Sequence, residues 1–234
     1  MMFRLLATFV LVQLAILARY VVYDAFDSLF YASTYLLLIA AVAIYFVSKC
    51  FVKKEIGYTP NETESWSFLN KQRMFTIEKP LYKGNVRRGS IQRIFVEKWH
   101  YIITDLLGST FFLAFTLKLD EHTFDVIPAS GKLFSNQSYW TIHKNGQPIG
   151  TAKTVVDLKN TAKLKEVILL QIGDIVYSTA ASTVTSHITL HNEQQIGEMK
   201  RSHLISSVNL LQVQDDTAEQ MIALLLHAFH FKNA

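Results

Sequence analysis

The stretch that most restricts how this 234-residue chain can fold is Asp216–Phe231, DTAEQMIALLLHAFHF. Asp216 stands where an N-cap belongs, and Glu219 follows at capping-box spacing. Lys232 puts a cation where the helix dipole favours one. On a helical wheel Met221, Ile222, Leu224, Leu225, Leu226, Phe229 and Phe231 point in every direction. A helix apolar on all faces is either buried on all sides or spans a membrane. This one falls short of the roughly 20 apolar residues that a bilayer core requires. Burying its seven large side chains would contribute on the order of 10–20 kcal/mol, an upper bound because unfolded chains are partly compact. The chain upstream must therefore supply a wrapper.

The first fifty residues do not. Leu5–Ala18 is a charge-free apolar run, and Ser28–Ser48 is another, 21 residues long and able to cross a bilayer core of about 30 Å. A short turn with Asp24 and Asp27 separates them. Arg4 precedes the first run, and Lys49, Lys53 and Lys54 follow the second. Under the positive-inside rule both ends lie in the cytoplasm and the acidic turn outside. A cleaved signal peptide over residues 1–18 is the competing reading, but Ile16 is too large for its cleavage site. The expectation is a two-span hairpin over residues 1–52, in a multi-pass protein of the cell membrane. Gln13 and Arg19 within the first span are expected to pack on the partner helix or to snorkel. The single cysteine, Cys50, excludes an internal disulfide and a cysteine-cluster zinc site.

Residues 53–72 change composition, with Gly57, Pro60, Asn61, Glu62, Thr63, Glu64 and Ser65 in a polar stretch that reads as a linker. Asn61-Glu62-Thr63 and Asn136-Gln137-Ser138 match the glycosylation sequon, which has no meaning on a cytoplasmic domain. From Met74 to Val213 short β-like runs alternate with turn residues, and no helical period competes. Thr110–Lys118 alternates cleanly. Tyr139–Lys144 meets Asn145-Gly146, a strong hairpin signal, and the chain resumes at Pro148–Val156. Glu166–Gln171, Asp174–Ala180, Ser186–His191, Gln195–Arg201 and Ser207–Val213 follow. With Met74–Lys79, Ile91–Glu97, Tyr101–Thr104 and Phe124–Ile127 the count approaches a dozen strands, which is sandwich or barrel spacing. Trp140-Thr141-Ile142…Ile149-Gly150-x-x-Lys153 also resembles Ile188-Thr189-Leu190…Ile196-Gly197-x-x-Lys200. The glycine in each fits a bulge or a close backbone approach.

Strands followed by one very apolar helix resemble the tubby C-terminal-like superfamily, which includes the LURP-one-related proteins and the phospholipid scramblases. The pieces that carry the likeness are Tyr101–Gly108 (YIITDLLG), similar to the family's I-x-D-x-x-G hairpins, the two Ile-Gly-x-x-Lys hairpins, and Asp216–Phe231. The resemblance covers residues 73–234 and excludes the hairpin. It implies a closed barrel of about twelve strands around a central C-terminal helix, with membrane lipids among the family's ligands. No phosphoinositide motif carries over residue by residue, and there is no calcium-binding acidic segment.

Catalytic signatures are missing. Gly84–Ser90 (GNVRRGS) has the glycine spacing of a P-loop but a serine at the lysine position, and reads as a turn. His187/His191 and His227/His230 have spacings that would suit a metal, yet no carboxylate or cysteine supports them, so no metal or cofactor is expected. The informative feature is charge. Lys71, Arg73, Lys79, Lys83, Arg87, Arg88, Arg93 and Lys98 stand against only Glu78 and Glu97. An anionic leaflet attracts such residues by about 1 kcal/mol each near its surface. Lys83, Arg87, Arg88 and Arg93 are therefore the candidate contacts for anionic lipid headgroups. Trp99 and Tyr101 lie close by, but without a nucleic-acid-binding motif. The sequence reads as a non-enzymatic, membrane-anchored binding module, ahead of a pleckstrin-homology-like adaptor and, third, an enzyme. Its partners are the bilayer and anionic headgroups.

Overall fold

Alternating inward residues and tight turns fold this chain into a sheet that closes on itself. The computed structural model describes residues 2–60, 64–72, 76–108, 111–129, 137–155, 167–183, 186–192, 194–203 and 206–231. Two long helices, α1 (Met2–Tyr23) and α2 (Ser28–Ile56), precede β1 (Trp66–Leu69), β2 (Glu78–Lys83), β3 (Val86–Ile94) and helix α3 (Lys98–Leu107). Then come β4 (Ala114–Leu119), β5 (His122–Pro128), β6 (Tyr139–Lys144), β7 (Gln147–Thr154), β8 (Val167–Ile172) and β9 (Ile175–Thr183). The chain continues through β10 (Ser186–His191), β11 (Gln194–Arg201) and β12 (Val208–Val213) to helix α4 (Ala218–Phe231). Each strand pairs antiparallel with its sequence neighbours, and β1 closes the barrel on β12 with Trp66 opposite Leu211. Closure removes the sheet edges that would otherwise template aggregation. α1 and α2 are long and apolar enough to cross a membrane, by length and composition.

The period-2 pattern sets the inside. On β4, Phe115 and Leu117 are buried and lie opposite Val126 and Phe124 of β5, so large inward side chains pair across the ladder. The tight turns at Gly84-Asn85, Asp120-Glu121, Asn145-Gly146 and Gly173-Asp174 fall at one end of the barrel. Asn145 (φ 51°) and Gly146 (φ 82°) both adopt the left-handed region, as a type I′ turn requires. Longer connections, including the one that carries α3, fall at the other end.

Most strands lie within a few residues of their expected positions, and Ser186–His191 matches at both ends. Four local expectations are corrected. Tyr101–Thr104 is helical, inside α3, because its apolar residues also recur at helical spacing and Glu97 with His100 forms a capping box. A helix thus interrupts the strand run, and the YIITDLLG segment quoted for the tubby likeness is no hairpin. β1 forms within the stretch that reads as linker, with Trp66, Phe68 and Leu69 buried. Asp216 does not cap α4: it has φ 52°, and Thr217 precedes the helix in an extended conformation. The Asp216 carboxylate instead accepts from Trp66 Nε1 at 2.7 Å and from Lys83 Nζ. Asn61–Thr63, Arg73, Met74, Asn136 and Lys232 lie outside the described residues.

α4 packs against β8 to β12, and Gln220 through Ala228 are buried without a break. Its end reaches further strands, since Phe229 meets Phe68 of β1 and Phe115 of β4 edge-on, and His230 meets Trp140 of β6. Helix and inward strand residues form one hydrophobic cluster.

The two Ile-Gly hairpins share a bulge but differ in packing. The register shifts between Ile142 and His143 in one and between Thr189 and Leu190 in the other, and the residue before each shift pairs with its glycine. A Cβ on Gly150 would stand 2.2 Å from Gln171 O and 2.8 Å from Ile172 Cγ1. On Gly197 it would meet Leu224 Cδ1 at 3.4 Å, near ordinary contact. Gly150→Ala should therefore cost about 1–3 kcal/mol, while Gly197→Ala stays within about 0.5 kcal/mol. Thermal melts of the two variants followed by circular dichroism would measure the difference.

Candidate functional site

The residues that stand out chemically gather at the barrel end from which the helical hairpin leaves. Glu55, in the last turn of α2, is fully buried. Its Oε1 accepts from the Gln72 amide at 2.6 Å, from the Lys71 amide and from Lys79 Nζ at 3.3 Å. Lys79 is buried too, and donates to Asn70 Oδ1 at 2.5 Å and to the Gln72 carbonyl. Removing two charges from water costs several kcal/mol per ion, which only close geometry and extra hydrogen bonds offset. Glu55 Oε1 and the Lys79 ammonium have such bonds, while Glu55 Oε2 has no hydrogen-bond partner among the described residues, and the pair fastens the end of α2 to β2.

A second fastening holds α1. The Phe3 amide donates to Asp105 Oδ2 at 2.6 Å, and Arg4 Nε donates to the Asp105 carbonyl at 2.7 Å. A carboxylate at the start of α1 complements the exposed amides and the positive dipole end there. Phe3 packs edge-on against Tyr101, which packs in turn on Phe95. The hairpin helices also bond to each other, Gln13 Nε2 reaching Thr34 Oγ1 at 2.6 Å, so Gln13 packs on its partner helix as expected. The hairpin end that carries Arg4, Lys49, Lys53 and Lys54 is therefore the end docked on the barrel.

The end of α4 opens toward the same rim. His187 Nδ1 and His227 Nδ1 lie 2.8 Å apart, both buried, so one ring donates and the other accepts. The spacings seen in sequence pair residues within an element, whereas the contact joins β10 to α4. Burial, with His227 beside it, pushes the His230 imidazole down to about 4. Among the described residues no group of three His, Cys, Asp or Glu could hold a metal ion. A cavity of about 20 Å³, room for about one water, lies beside Asn70, Lys79, Arg93 and Phe229.

The four expected lipid contacts do not form one patch. Lys83 bonds Asp216, Arg87 pairs with Glu78 at 3.3 Å, and Arg88 pairs with Asp120 at 3.2 Å. Glu55 anchors at Lys79, and Lys83 lies four residues further along β2, about 13 Å at strand rise. Arg87 and Arg88 continue from that remote turn. Arg93 is at the hairpin end but buried, its guanidinium over the Phe95 ring and donating to the Phe111 carbonyl. Glu55 and Asp105 escaped sequence reasoning. One signal was available for Glu55, a carboxylate in the last turn of a helix where the dipole favours cations.

Compared with protein-family models, curated proteins and solved structures, the chain matches none.

Two outcomes follow from this geometry. Glu55→Ala leaves the Lys79 ammonium buried without its carboxylate and should cost about 3–5 kcal/mol. Adding Lys79→Met should restore most of the loss in thermal melts of the full chain. His230 is neutral when folded, while the unfolded chain takes up a proton near the ordinary 6.5. Stability should therefore be full above pH 6.5 and fall by on the order of 3 kcal/mol as the pH drops toward 4. His230→Phe should flatten that part of the pH–stability curve.

Proposed function

We propose that this chain is a non-enzymatic, membrane-anchored binding module in which α1 and α2 span the bilayer and the barrel stands on the cytoplasmic face. The observation that carries this reading is the docking of the barrel on the basic end of the hairpin, through Glu55–Lys79 and Asp105–Phe3. By the positive-inside rule that end is cytoplasmic. A barrel closed around an axial α4, as in tubby C-terminal-like domains, is supported by the burial of α4 and its contacts with β1, β4, β6 and β8–β12. The same burial argues against a pleckstrin-homology-like domain, whose final helix is amphipathic and caps an open barrel.

Anionic headgroups are the ligand class this arrangement favours. Exposed lysines at the docked end include Lys49, Lys53, Lys54, Lys71 and Lys98. At about 1 kcal/mol each near an anionic surface, they exert the greater pull. Lys83, Arg87 and Arg88 point the remote rim toward the cytosol, their charge offset by Asp216, Glu78 and Asp120. In intact cells a C-terminal tag should be reachable only after permeabilisation, and surface labelling without it would overturn the topology. The purified full chain should retain anionic phospholipid, and Lys49→Gln/Lys53→Gln/Lys54→Gln should lose more of it than Arg87→Glu/Arg88→Glu. Equal retention by the two variants would overturn the assignment to the docked end.

A further inference from the structure

α3 turns its polar side inward and its apolar side outward. His100, Thr104 and Asp105 are buried, whereas Trp99 is 47% exposed, Ile102 41% and Leu107 59%. Val96 just before the helix and Phe111 just after it are exposed as well. A helix on a water-facing surface does the reverse and hides its apolar stripe. The inward polar groups are all engaged. Asp105 holds the start of α1, Thr104 Oγ1 donates to the Phe111 carbonyl at 3.0 Å, and His100 stacks on Phe112 with ring centroids 3.9 Å apart. The inversion is therefore built into the packing.

The position of α3 says what covers its outer face. Asp105 bonds the first turn of α1, and Tyr101 packs against Phe3. Tyr101 also lies close enough to Tyr45 for that ring to add to the effect of burial, which holds its hydroxyl above the ordinary value. Tyr45 sits one turn before Lys49, at the end of the charge-free run of α2. α3 is thus level with the point where both helices pass from apolar to charged sequence.

We propose that α3 is an interfacial helix whose outer face, Trp99, Ile102 and Leu107 with Val96 and Phe111, inserts into the leaflet that the hairpin crosses. The proposal rests on reading α1 and α2 as spans. A lipid leaflet suits this face because Trp favours the headgroup level and Lys98 can extend its ammonium to the surface beside it. A helix in this position sinks about 5–10 Å into the boundary between headgroups and acyl chains. The barrel then meets the bilayer through α3 as well as through the ends of α1 and α2.

The test uses the full chain with Cys50→Ser, reconstituted in nanodiscs whose lipids carry bromine near the headgroup end or deep in the acyl chains. An environment-sensitive fluorophore is placed singly at Ile102→Cys, Leu107→Cys, Leu36→Cys or Val176→Cys. Leu36 is an exposed mid-span residue of α2, and Val176 is an exposed residue at the remote end of the barrel. Positions 102 and 107 should lose most of their emission to shallow bromine, position 36 to deep bromine, and position 176 to neither. If 36 is quenched while 102 and 107 are not, the interfacial helix is overturned and the spans stand. If 36 is also unquenched, the span reading falls and the proposal with it. Equal quenching at 102, 107 and 176 would overturn the proposal as unspecific adsorption.

Discussion

The disposal of the apolar surface of α4 governs the rest of the fold. Met221, Ile222, Ala223, Leu224, Leu225 and Leu226 have no exposure at all, and together they point around the full circumference of the helix. No single flat sheet covers such a helix, because a sheet face covers one side only. Here the sheet closes on itself, and closure demands strands whose inward residues alternate. Phe68, Phe115, Leu117, Phe124, Ile142, Ile168, Leu170 and Leu211 meet that demand from six different strands, all within the core cluster that includes the α4 residues. Gly150 belongs to the same requirement, since β8 approaches the β7 backbone too closely for a side chain there.

Polar groups then decide how this apolar body is attached. The grip of the hairpin on the barrel is made from Glu55, Lys79, Asp105 and backbone amides, with the Phe3–Tyr101 ring contact beside them. Away from water each of these bonds is worth more, and each loose end would cost more. Both grips lie at the rim opposite the tight turns, where the connections are long enough to hold a helix such as α3. The division of labour follows from loop length: short turns fix register at one rim, and longer segments build contacts at the other.

Strand positions were legible because alternation is a local signal, as in Phe115-x-Leu117, and the Asn145-Gly146 turn declared its hairpin outright. The buried helix was legible for a similar reason, since no surface helix is apolar all round. α3 was misread because YIIT has strong β propensity, which outweighed the helical spacing of its apolar residues and the Glu97–His100 capping box. Trp66–Leu69 was hidden inside a polar stretch because only four residues pair, and their partner strand β12 lies about 140 residues away in the chain. The basic run from Lys71 to Lys98 is divided between the two rims for a geometric reason. A strand hairpin carries neighbours in sequence to opposite rims, so Arg87 and Arg93 lie at opposite ends of β3.

The same geometry separates two roles that the sequence merges. Charge near the hairpin, on Lys49, Lys53 and Lys54, sits at the end docked on the barrel. Charge at the remote turns, on Lys83, Arg87 and Arg88, is fixed at the far side of a barrel gripped at two points. A flexible linker would let that far rim swing back to the same surface, but α2 continues as helix to Ile56 and is pinned there by Glu55. If α1 and α2 span a bilayer, a rigid tether keeps the remote rim away from it. Any acidic partner of Arg87 and Arg88 must approach from the other side, and must displace Glu78 and Asp120 to bind them.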